Sequence, residues 1–188
     1  KLIFSAVDFP ARIWRDDTDR ISALLMPEVD RLIAAINAQI VPEKIALRDL
    51  QIRLATPSDP DTPYIHVDSG GYMTLSHALK SRGTWIYAEE HRRVRRIEIP
   101  SRSWGIITNT EREHATAIPA TLHSSPFTDG ARVLVLIRTY RIDHKKPATA
   151  DMQAVDRRGK VRAEHAQRLL DQQKRPLIPV ESRGWLRR

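Results

Sequence analysis

Three side chains in this sequence have the types and spacing that hold a metal ion: His66, Asp68 and His123. His66-Val67-Asp68 stands just before Gly70-Gly71, in a stretch that reads as a strand. On a strand, residues i and i+2 project to one face. Imidazole and carboxylate therefore leave together, as two ligands of one ion must. The third ligand is His123, 55 residues past Asp68. Two histidines and one carboxylate on one side of an ion suit Fe(II) and leave positions open for a chelating cosubstrate and dioxygen. Nine residues further on is Arg132, the first charge in the run Arg-Val-Leu-Val-Leu-Ile-Arg. By alternation Arg132, Leu134, Leu136, Arg138 and Tyr140 share a strand face. A cation projecting among apolar residues needs an anionic partner, because burying it alone is costly. A dicarboxylate supplies one, and a guanidinium grips a carboxylate through two bonds. The plainer reading of the same residues is two half-buried histidines, an Asp68 that closes the Gly70-Gly71 turn, and a rim charge at Arg132.

The order His66-Val67-Asp68, then His123, then Arg132 resembles that of the Fe(II)- and 2-oxoglutarate-dependent dioxygenases, over about residues 64–140. The segment His123-Ser124-Ser125-Pro126 is also similar to the stretch around the distal histidine of such enzymes. The resemblance implies a double-stranded β-helix, or jelly roll, with His66, Asp68 and His123 as iron ligands. It implies that Arg132 pairs with the distal carboxylate of 2-oxoglutarate, with Arg138 as a second candidate. Tyr72 and Tyr64 flank the His-x-Asp motif, within reach of the cosubstrate. The implied activity is oxidative decarboxylation of 2-oxoglutarate coupled to attack on a substrate C–H bond, with hydroxylation the commonest outcome.

Those residues need a scaffold, and the pattern of the chain predicts one. Asp16, Asp17 and Thr18 are N-cap types, followed by Ile21, Leu24, Leu25, Val29, Leu32, Ile33 and Ile36 at helical spacing. Pro27 is expected to start a second helix. Residues 49–55 alternate in period two and read as a strand; residues 56–63, with three prolines, read as a loop. Strands are expected at Tyr64–Asp68, Tyr72–Leu79, Thr84–Ala88, Val94–Ile99, Trp104–Asn109 and Ala131–Tyr140, with turn signals between them. His114 falls in a polar stretch that reads as a loop, His91 at an exposed hairpin end, and His77 among core residues. Val155, Val161, Ala166, Leu169 and Leu170 mark a helix over 151–174. The expected fold is α+β, mainly β, an antiparallel double sheet or barrel with N-terminal helices packed on one sheet. Residues 1–141 form the catalytic-type domain, with its core over 49–141. Residues 142–188 form a basic, partly helical C-terminal extension.

Composition narrows the function. The chain has 188 residues, 41% of them hydrophobic and 29% charged, which suits a packed domain. It has no cysteine, which removes disulfide scaffolds, thiolate zinc sites, iron–sulfur clusters and cysteine nucleophiles. No apolar run is long enough to span a bilayer and no leader pattern opens the chain, so a cytoplasmic location is expected. The first residue is Lys rather than Met, which points to an earlier start. The net charge is +8, and residues 142–188 hold 12 basic and 6 acidic side chains. Such a tail, with Arg92-Arg93-Val94-Arg95-Arg96, could receive a nucleic acid or an acidic peptide. Without aromatics interleaved along it, charge alone does not establish that. A small-molecule or amino-acid-type substrate is the favoured partner. Two rivals remain: a cupin-type metal enzyme that needs no 2-oxoglutarate, and a basic nucleic-acid-binding module without catalysis.

Overall fold

The computed structural model describes residues 2–6, 15–39, 43–55, 64–80, 83–125, 132–142 and 148–174. The expected loop over 56–63 lies outside them. Among the described residues, eight strands and three helices follow in the order β1 (Leu2–Ala6), α1 (Arg15–Gln39), β2 (Ile45–Ala55), β3 (Met73–Lys80), β4 (Thr84–Glu90), β5 (Arg93–Ile99), β6 (Trp104–Thr108), α2 (Thr110–Thr116), β7 (Leu122–Ser124), β8 (Arg132–Arg141) and α3 (Thr149–Lys174). The fold is mainly β. One sheet runs β1-β2-β8-β3-β6 and the other β5-β4-β7. Among the described residues only the β1–β2 pair is parallel.

The larger sheet buries one face under α1. Leu50, Leu75, Val135 and Ile137 pack there against Val29 and Ile36 of the helix. That interface explains one correction. Pro27 lies inside a single continuous helix rather than opening a second one. Pro27 and Ala23, four residues back, both stand on the exposed side, where water can serve the carbonyl that proline leaves without a donor. The apolar seam on the opposite side holds the two halves in line.

A bulge in β2 between Leu47 and Asp49 resets the alternation. Ile45 and Leu47 before it, and Leu50 after it, all face α1. Asp49 and Gln51 therefore turn to the other face, in register with Arg138 and Leu136 of β8, and through them with Thr74 and Ser76 of β3. This second face is buried yet polar. Ser76 Oγ lies 3.1 Å from Thr84 Oγ1, which ties it to the smaller sheet.

On the smaller sheet, Trp85 and Tyr87 face α3, where they pack with Ile65, Val94, Leu122, Ala163 and Ala166. Arg96 stacks 4.0 Å over the Trp85 ring. His123 pairs with Ile86 and so faces the opposite side, the one that Thr84 turns toward the larger sheet. Val161, one of the apolar residues that mark α3 in the sequence, is 56% exposed. Among the described residues no helix is long and apolar enough to cross a membrane.

Candidate metal centre

The expected strand over Tyr64–Asp68 is reduced to one rung. His66 and His123 form an isolated antiparallel bridge, with His66 N donating to His123 O and His123 N to His66 O, both at 2.9 Å. The bridge places the two imidazoles side by side, with ring centroids 4.3 Å apart. Asp68, two residues on, comes to the same side. Its Oδ1 lies 3.9 Å from His66 Nε2 and 3.6 Å from His123 Nε2. The three ligand atoms are all within 4.8 Å of one another.

Each ring is held by its other nitrogen. His66 Nδ1 lies 3.1 Å from the Tyr64 carbonyl and His123 Nδ1 lies 3.0 Å from the Thr121 carbonyl. A carbonyl only accepts, so each Nδ1 carries the hydrogen and each Nε2 keeps its lone pair for the side where Asp68 sits. This outer contact is the one that metal-ligating histidines make, and it fixes tautomer and orientation. His123 is buried, whereas His66 and Asp68 keep 44% and 37% of their side-chain surface, so the cluster has one open side. Donor types, tautomers and access all fit a divalent ion of the Fe(II) kind.

The scaffold around the cluster comes from residues that carry no sequence signal of a site. Thr110 N donates to the Asp68 carbonyl, and its hydroxyl accepts from Gly70 N. Asn109 donates through Nδ2 to the Gly70 carbonyl and Thr74 Oγ1. Gly70 and Gly71 have φ of 71° and 79°, a conformation that costs glycine nothing and turns the chain sharply after Asp68. Asn109 and Thr110 open α2, the helix that replaces the expected loop around His114. Its sequence, Thr-Glu-Arg-Glu-His-Ala-Thr, is too polar and short to show an apolar stripe. It is held instead by tertiary contacts with α3. Arg162 of α3 bonds the Ala120 carbonyl and lies 3.6 Å from Glu113, whose Oε2 accepts from Ala120 N. Gln167 Oε1 accepts from Ile65 N. One helix thus braces the approach to both histidines.

The remaining candidates lie elsewhere. Tyr72 is fully buried in the core under α1, so it packs there instead of meeting a cosubstrate. Burial, and then the nearby Glu43 charge, push its phenol above the usual value. Arg138 is gripped by Asp49, with Nε–Oδ1 at 2.8 Å and Nη2–Oδ2 at 2.7 Å. The bidentate pair supplies inside the protein the anion expected of a dicarboxylate. Arg132 opens β8, but its side chain lies outside the described residues. Tyr64 is 63% exposed. Ser124 bonds Tyr87 Oη at 2.8 Å. His77 stacks on Trp104 with centroids 4.7 Å apart, and His91 sits in the exposed β4–β5 turn.

No protein-family model and no curated protein matches the chain. Among solved structures, the crystal structure of a cupin protein from Bacteroides fragilis is similar over 54% of this chain and 72% of its own, with 14% identity and a TM-score of 0.30. The chemistry assigned to the site rests on its own geometry.

Proposed function

We propose that this chain is an Fe(II)- and 2-oxoglutarate-dependent oxygenase that hydroxylates a small-molecule or amino-acid-type substrate. The observation that carries the reading is the convergence of His66, Asp68 and His123, with both Nδ1 atoms engaged by carbonyls and both Nε2 atoms turned toward Asp68. Strand order supports it. With the 64–68 segment counted as a strand of the smaller sheet, the eight strands from β2 onward pair as first-eighth-third-sixth and fifth-fourth-seventh-second. That is the order of a jelly roll.

Bound by these ligands, Fe(II) supplies oxidative decarboxylation of the 2-oxo acid coupled to oxygenation of a C–H bond. The chain's own residues do the rest. The Tyr64 and Thr121 carbonyls hold the rings and raise their basicity. Asp68 offsets one of the two metal charges. Arg132 is the residue to which the resemblance assigns the distal carboxylate of 2-oxoglutarate. Anaerobic titration with Fe(II) and 2-oxoglutarate tests the reading. The expected result is a weak visible charge-transfer band that is absent in His123→Ala, followed by succinate release on admission of oxygen. Metal binding that is indifferent to all three ligands would overturn it.

A second reading, a cupin-type metal enzyme that needs no 2-oxoglutarate, is favoured by one observation: Arg138 is already neutralised by Asp49. The Arg132→Ala variant separates the two. A sharply raised KM for 2-oxoglutarate supports the first reading, and unchanged kinetics the second.

A further inference from the structure

A cavity of about 320 Å³ lies between residues 64–69 and α3. It meets the metal cluster at one residue, His66, which is part of its lining. Ile65, Val67 and Ala163 give it an apolar side. Tyr64, Ser69 and two charged residues of α3, Asp156 and Lys160, complete the lining. The space is at the small end of ligand sites, large enough for a compact metabolite but not for a polymer.

The two charges are not satisfied by each other. Asp156 Oδ1 is buried with no hydrogen-bond partner, although Lys160 stands one helical turn further along the same wall. A buried carboxylate oxygen without a donor is costly, and positions i and i+4 are spaced to pair readily. The helix instead presents an acceptor and a cation, separately, to one small apolar-walled space. A molecule that fills it must offer a donor to one and an anion to the other.

We propose that this cavity binds a small zwitterion, an α-amino acid or a compound with the same paired charges. Asp156 accepts hydrogen bonds from the ammonium, Lys160 pairs with the carboxylate, and the side chain lies against Ile65, Val67 and Ala163. The site commits to two opposite charges in one compact ligand, which a nucleic acid or an acidic peptide does not supply. That the bound molecule is also the substrate rests on the oxygenase reading, because only that reading gives the His66 wall a reacting centre behind it. The binding itself does not.

The test is calorimetric titration of the metal-free full chain with each of the twenty free L-amino acids, then with the N-acetyl derivative and the methyl ester of those that bind. At least one amino acid is expected to bind, and to lose about tenfold or more in affinity when either end is blocked. Asp156→Asn should cost a similar factor for the free amino acid and nothing for its N-acetyl form. Lys160→Met, at an exposed position where folding is not at risk, should behave the same way toward the ester. Absence of binding by any amino acid, or binding indifferent to both substitutions, would overturn the proposal. Binding without succinate release keeps the zwitterion site and removes the oxygenase. Succinate release without amino-acid binding does the reverse.

Discussion

Gly159 of α3 packs directly on Val67, the residue between the two candidate ligands of the His-x-Asp segment. A methyl group built on Gly159 would stand 2.7 Å from Val67 Cγ2. Elsewhere in a helix, replacing glycine by alanine stabilises by about 1 kcal/mol. Here the sign should reverse. Val67 is β-branched and stiff at χ1, so it cannot swing aside cheaply. Overpacking of this kind costs roughly 1–3 kcal/mol. Gly159→Ala is therefore expected to lower stability in chemical denaturation. It should also weaken metal binding, since any relief moves His66 and Asp68 away from His123.

If the cluster holds a metal, the ion binds only the folded chain, and unfolding should respond by mass action. A metal present at a hundredfold its Kd raises stability by about 2.7 kcal/mol. The melting temperature of the wild-type chain should rise on adding a divalent ion, and that of His66→Ala or His123→Ala should not. Chelation should return the wild type to its starting value.

Two of the three arginines of β8, Arg132 and Arg138, should separate by readout. Asp49 keeps only 7% of its side-chain surface, and its partner in the larger sheet is Arg138. Arg138→Ala removes the closer of its two cationic partners and leaves the half-exposed Arg48 at 3.9 Å, at an expected cost of about 1–3 kcal/mol. The double variant Asp49→Asn with Arg138→Gln should recover much of the loss. If the oxygenase reading holds, Arg132→Ala should raise the KM for 2-oxoglutarate, read from succinate release.

Two tyrosines set an alkaline limit. Burial pushes Tyr72 and Tyr87 above the usual phenol value, with the Ser124 hydrogen bond partly countering it at Tyr87. Below the ordinary phenol range both states are protonated and the contribution to stability is full. As pH rises past about 10, the unfolded chain ionises first and stability falls. Denaturation curves across that range should show the decline. Tyr72→Phe should soften it, and because the Tyr72 hydroxyl is buried with no hydrogen-bond partner, the variant should cost little at neutral pH.

How much of this was legible in the sequence depended on the range of the interaction. The i, i+2 rule placed His66 and Asp68 on one side without knowledge of the fold. β3, β4, β5, β6 and β8 showed themselves as strands. The start of β2 did not, because the bulge after Leu47 reverses the phase and cancels the pattern across it. β7 has three residues and no periodicity to read. α2 lacks an apolar stripe, and Pro27 carried a local signal that packing under α1 overrode. Tyr72 sat next to the motif in sequence but pointed into the core in space. Gly159, Arg162, Asn109 and Thr110, which brace the ligands, do so across tens of residues, where single-chain patterns carry no information.

The ligand segment 64–68 joins its sheet by the single rung between His66 and His123, which makes that rung a clasp. Opening it parts two ligands from the third, and an ion held by all three would resist the opening. Metal loading and closure of this edge are then one event, and the amide hydrogens of residues 66 and 123 should exchange with solvent far more slowly in the loaded protein than in the stripped one.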